Sequence, residues 1–133
     1  MNRRFYIAVA LALTISACAP TPSTSTHEAV VVEQLFFGRY GSGQQVVSDS
    51  AWSNFLAEVV TPRFPDGFTV WPAAGQWRRS DGQIEHESSF VLELVHSSSA
   101  TADSNVDVII SVYKKRFHQE AVLRVVIPAH VSY

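Results

Sequence analysis

Asp81-Gly82, set between two runs rich in strand-forming residues, restricts the fold of this chain more than any other feature. Both residues tolerate positive φ, so the pair reads as the two-residue turn of a β-hairpin within Phe68 to His96. Such a turn fixes a register: Arg79 faces Ile84, Arg78 faces Glu85, Trp77 faces His86 and Gln76 faces Glu87. Gln76, Arg78, Glu85 and Glu87 then share one sheet face, and Trp77, Arg79, Ile84 and His86 the other. Along the second arm, Phe90, Leu92 and Leu94 alternate onto the core face, with Val91, Glu93 and Val95 on the reverse. The arms are read as inner strands that overrun outer strands at 30–37 and 121–127, and Ala73-Ala74-Gly75 marks a bend.

The flanking segments complete an order. The run 29–37 (AVVVEQLFF) is β-branched and aromatic and ends at Gly38, which predicts a strand entering a glycine-rich connection. Ser48 precedes Trp52, Phe55, Leu56 and Val59, the spacing of one buried helical face behind an N-cap. Pro62, Pro65 and Gly67 stop that helix near Val60, in a turn that Arg63 and Asp66 close by a local ion pair. After a polar gap, Val106, Ile109, Ile110, Tyr113 and Phe117 form a second helical stripe, with Lys114, Lys115 and Arg116 near its C-terminus. A last strand covers 121–127. Strand, helix, strand, strand, helix, strand is most simply an α+β, ferredoxin-like βαββαβ fold, with a four-stranded antiparallel sheet and both helices on one face. The other face is open. Val122, Arg124 and Val126 are expected on it, since a charge there meets water.

With 133 residues the chain holds one domain, and 47% apolar against 17% charged residues is a globular composition. The N-terminus is an address. Arg3-Arg4 precedes an uncharged apolar run from Phe5 to Ile15, too short to span a bilayer that needs about 20 such residues. Ile15-Ser16-Ala17-Cys18 closely resembles the lipobox of bacterial lipoproteins, and Cys18 is the only cysteine. The resemblance implies a signal peptide at 1–17, a diacylglycerol on the Cys18 thiol and acylation of its new amino group, palmitate being a typical chain. Several acyl chains hold a protein stably where one holds it marginally. Ala19 after the cysteine implies the outer membrane, facing the periplasm, in a Gram-negative host. Residues 18–28 form a lipidated tether rich in Pro, Ser and Thr, and 29–133 a single α+β domain.

At Leu35-Phe36-Phe37-Gly38, Trp52-x-x-Phe55-Leu56, Thr61-Pro62-Arg63-Phe64-Pro65-Asp66-Gly67, Gly75-Gln76-Trp77-Arg78 and Arg116-Phe117-x-Gln119-x-x-Val122-Leu123, the chain resembles the bacterial domain-of-unknown-function 3574 family. The resemblance spans almost the whole mature domain. It implies an exported, lipidated protein and carries no activity. One departure is His86, where the pattern leads to a basic residue such as Arg before Glu87; His86 bears that charge only when protonated.

Net charge −2, from 10 basic and 12 acidic side chains, gives no basic excess for nucleic acid, and without Arg3 and Arg4 the balance is 8 against 12. The five histidines, at 27, 86, 96, 118 and 130, have no metal-ligand spacing, and no nucleophile elbow, P-loop or dinucleotide pattern occurs, so no metal or cofactor is expected. Gln76, Trp77, Arg78, His86 and Glu87 remain as candidate ligand- or partner-binding residues. In the ferredoxin-like order the hairpin turn lies at the same end as 38–47 and His118-Gln119-Glu120. A site there has Arg78 or Arg79 fixing an anion, Trp77 stacking and Glu87 or His86 moving a proton. The plainer account is a cross-strand ion pair on a solvated hairpin, worth about 0.2 to 1 kcal/mol. Two functions follow: an envelope-anchored, non-catalytic binding or interaction module meeting a homodimer mate or envelope protein, or a small dimeric α+β enzyme with His86 and Glu87 as acid and base.

Overall fold

The computed structural model describes residues 28–41, 44–78 and 81–132. The signal segment 1–17, Cys18, most of the tether and Arg79 lie outside the described residues. Strands β1 (Glu28–Gly38), β4 (Thr69–Arg78), β5 (Ile84–His96) and β6 (Leu123–Val131) form one antiparallel sheet in the order β4-β5-β1-β6. Helix α1 (Asp49–Phe55), prolonged by a π-helical turn at Leu56–Val60, and helix α2 (Ala100–Phe117) supply the second layer. A short ribbon, β2 (Tyr40–Gly41) with β3 (Gln44–Gln45), follows β1. This is the ferredoxin-like α+β architecture that the element order implies.

Local chemistry sets the helix ends. The Ser48 hydroxyl accepts from the Ala51 N–H at 3.2 Å, and Ser99 caps α2 in the same way from Ala102 at 3.1 Å. Helix α2 ends with His118 in the left-handed region, φ 52°. Beyond α1, Arg63 donates to the Val59 carbonyl at 2.7 Å. It therefore holds the end of the helix rather than the Asp66 carboxylate that the sequence suggests.

The core lies between the sheet and both helices. Leu35, Phe37, Phe90, Leu92 and Leu94 meet Trp52, Phe55 and Val59 from α1 and its extension, and Val106, Ile109, Tyr113 and Phe117 from α2. Aromatic rings dominate its centre: Trp52 stacks on Phe90 at 4.7 Å, and Phe37 lies 4.5 Å from Tyr113.

Three expectations about the sheet are corrected. The hairpin arms are not both inner strands: β1 and β5 are central, while β4 and β6 are the edges. Pro72 and Pro128 fit this arrangement, since a residue without an N–H is tolerated at an edge, and β6 accordingly runs past Pro128 to Val131. Second, the hairpin loop is longer than two residues. The Asp81 carboxylate accepts the Gln83 N–H at 3.0 Å and only Gly82 of the pair has positive φ, so the ladder closes at Arg78 opposite Ile84. Every pair slips by one: Trp77 faces Glu85, Gln76 faces His86, and Gly75 faces Glu87.

Third, Arg124 is on the helix side. The ladder sets it opposite Leu35, and it reaches the fully buried Glu33 through two hydrogen bonds of 2.7 Å. It also contacts Asp103 at 2.7 Å and Asp107 at 3.3 Å on α2. These carboxylates, Glu33 foremost, hold the Arg124 pKa above its ordinary value. Leu123, Val125 and Ile127 take the open face instead, beside Phe36, Val91 and Val95.

Candidate functional site

The slipped register decides the site. Because Trp77 faces Glu85 and Gly75 faces Glu87, the indole and both carboxylates project from the open face of the sheet, at the end where the hairpin outreaches the helices. There a half-open cavity of about 720 Å³ forms. Its floor is sheet, from Phe36, Gly38, Gly75, Ser89 and Leu123. Its walls come from Tyr40-Gly41 after β1, from Gln76 and Trp77 on the edge strand, and from His118 to Ala121 after α2. The convergence of these distant segments at the hairpin end is the one that the element order predicts.

Of the candidate residues, Gln76, Trp77 and Glu87 line the cavity. Arg78 and His86 stand outside its lining, on strand positions that alternate away from Trp77 and Glu87. The expected Arg78 partnership with Glu85 and Glu87 is thus absent from the ladder, and His86 and Glu87, as neighbours along a strand, point to opposite faces. Sequence reasoning missed Phe36 and Leu123 as lining residues, and it brought Tyr40 and Gln119 to this end only as parts of their segments, without naming them as binding residues. The signal for Gln119 was available: it follows a helix whose end falls at the hairpin's end of the sheet.

Glu87 is held from below. The Tyr40 N–H donates to its Oε1 at 3.3 Å. A Cβ on Gly38 would sit 2.3 Å from that oxygen and 3.1 Å from Gln119 Oε1, so the missing side chain of Gly38 makes the space that both occupy. Gln119 donates its amide to the Tyr40 carbonyl at 3.0 Å and to the Phe117 carbonyl at 3.3 Å. Both partners are acceptors, which fixes the amide orientation and leaves Oε1 as an acceptor beside Glu87. Beneath, the Tyr113 hydroxyl donates to the Gly38 carbonyl at 2.8 Å. Burial first, and the Glu87 charge second, push the Tyr113 pKa up, and Arg39 opposes them; the phenol remains a neutral donor.

Arg39 is engaged elsewhere, donating to the Val47 carbonyl and to Asp49 while lying 4.4 Å above the Phe90 ring. Among the described residues, no group of three or more His, Cys, Asp or Glu side chains is placed to hold a metal ion. No helix among them is long and apolar enough to cross a membrane.

The architecture defines a ferredoxin-like α+β protein with an end-of-sheet cavity. By sequence, the chain belongs to the family described as Protein of unknown function (DUF3574), matched over residues 32–133. No curated protein matches it in sequence. Its fold is similar to that of a phage SAM lyase in complex with S-methyl-5′-thioadenosine, at TM-score 0.60 and 13% identity, covering 78% of this chain and 90% of the lyase. A phage SAM lyase in its apo state gives TM-score 0.57 and 12% identity over 77% and 89% of the two chains. CutA from Synechococcus elongatus gives TM-score 0.50 and 9% identity over 77% and 78%. At these identities the likeness establishes a shared fold.

Proposed function

We propose that this chain is a non-catalytic small-molecule-binding module held at the cell envelope by lipid on Cys18. The cavity carries the reading. About 720 Å³ matches the volume of sites that enclose a small organic ligand, and Trp77, 49% exposed, presents an aromatic wall beside a carboxylate fixed by the backbone. The enzyme alternative asks His86 and Glu87 to serve one substrate as acid and base, and their opposite facings speak against that pair. The phage SAM lyase of similar fold binds a ligand of nucleoside size, but at 13% identity its reaction is not carried over.

Gly75 offers a direct control. It lines the cavity, and a Cβ built there meets nothing within 4 Å, so Gly75→Phe fills the cavity without a clash at its first atom. Mass spectrometry of small molecules that copurify with the full chain from membranes is expected to find one that Gly75→Phe loses. A wild-type chain that retains nothing, or a molecule retained equally by the variant, would count against the module.

For the anchor, Cys18→Ser is expected to abolish lipid modification and leave the precursor uncleaved, because the lipoprotein peptidase acts on the lipidated cysteine. Labelling with an alkyne fatty acid reads this out, and equal labelling of wild type and variant rejects the anchor. The location that follows is the periplasmic face of the outer membrane in a Gram-negative host. A homodimer mate or envelope protein on the open sheet face belongs to the same proposal, supported by exposed Leu123, Ile127 and Val95. Sedimentation of the full chain in detergent tests self-association: a dimer is expected, weakened by Leu123→Glu, and a monomer rejects the homodimer.

A further inference from the structure

We infer that the cavity selects an organic cation, an ammonium group carried on an aromatic or aliphatic body; this rests on the cavity being a ligand site. The described lining residues include the carboxylates Glu87 and Glu120. The sharper observation is at Gly38. Glu87 Oε1 and Gln119 Oε1 both lie within 3.1 Å of the point that a Gly38 Cβ would take. Glu87 and Gln119 thus both pack against the bare Gly38 backbone at this corner of the cavity. The Gln119 amide donors are committed to the Tyr40 and Phe117 carbonyls, and the Tyr113 hydroxyl to the Gly38 carbonyl. Among the described residues, the Tyr40 N–H is the one hydrogen-bond donor to the Glu87 carboxylate, and it approaches Oε1. Among the described residues, none donates to Glu87 Oε2.

A ligand meeting this corner must bring N–H or O–H donors, and positive charge is favoured, because a half-buried carboxylate attracts a cation more strongly than water-screened groups do. A carboxylate or phosphate ligand would meet repulsion from the Glu87 carboxylate there. The remaining lining says what the ammonium is attached to. Phe36, Tyr40, Trp77 and Leu123 supply two kinds of surface, an apolar one for the body and aromatic faces that themselves attract cations.

Calorimetric titration of the full chain in a neutral detergent tests this with three probes of one shape: phenethylammonium, 2-phenylethanol and 3-phenylpropionate. Phenethylammonium is expected to bind at least tenfold tighter than the other two. Glu87→Gln is expected to weaken it tenfold or more without moving the thermal unfolding midpoint. Gly38→Ala, whose new methyl displaces the Glu87 carboxylate and crowds the Gln119 amide, should weaken it similarly. Tighter binding of the anion or the alcohol, or a cation affinity indifferent to Glu87→Gln, overturns the assignment while leaving a ligand site. Binding of none of the three, with a copurifying molecule still present, likewise overturns the cation; absence of that molecule as well overturns the module itself.

Discussion

Trp52→Ala is expected to destabilise the domain by about 3 to 5 kcal/mol, the usual cost of emptying a large buried aromatic site. The indole is 4% exposed and is held from several sides. It stacks on Phe90 at 4.7 Å with 6° between the rings, lies 5.6 Å from Phe55 and 5.2 Å from Phe37, and meets Tyr113 edge-on. These neighbours come from β1, β5, α1 and α2, so collapse around the void would have to move both layers. In a domain this small such a loss is comparable to the whole stability, and urea unfolding reads it as a lowered midpoint. A loss below about 1 kcal/mol would show that the ring is not the junction between the layers.

Arg124→Ala is expected to cost a similar amount, about 3 to 5 kcal/mol, for a different reason. Glu33 is fully buried on the helix side of β1, and its carboxylate is matched by the two Arg124 hydrogen bonds. His96 Nε2 stands 3.4 Å from Glu33 Oε1, buried and without a hydrogen bond, so it does not replace the guanidinium. Removing Arg124 leaves a buried charge with no adequate partner. Replacing both members, Glu33→Leu with Arg124→Leu, should recover most of the loss, because the desolvation of both charges disappears with them. Urea unfolding of the two single variants and the double variant measures the coupling. Additive losses would mean that the pair does not act as a unit.

The same residues explain what the sequence made legible. Alternation was informative wherever both faces were apolar enough to mark the core, as at Phe90, Leu92 and Leu94, and the helical stripes through Trp52 and Tyr113 were readable from their spacing. Glu33 shares the alternation of Leu35 and Phe37, which placed it inside, but a lone Glu in a strand reads as solvent-facing until its partner 91 positions away is known. Treating Arg124 as a marker of the wet face followed from the same blindness to a long-range ion pair.

At the site, the existence of the hairpin and the end of the sheet it reaches were readable, while the side each residue takes was not. Asp-Gly is compatible with a tight two-residue turn and with a longer loop in which the Asp side chain caps a backbone N–H, and the second occurs here. One residue of slip moved Trp77 onto the face of Glu87 and moved Arg78 off it, while His86 stays on the opposite face. The anion-binding corner expected around Arg78 thereby lost that residue, while Arg79, the other candidate, lies outside the described residues. The role of Gly38 had no local signal, since it depends on Glu87 and Gln119, 49 and 81 positions further along.

A crystal structure of the full chain extracted from its own membrane, with whatever copurifies, tests the central claim most directly. The account predicts density for a small molecule in the cavity, with a nitrogen against Glu87 and Gln119 and its body against Trp77. A cavity filled only by solvent, or occupied by a side chain of a neighbouring subunit, would contradict it.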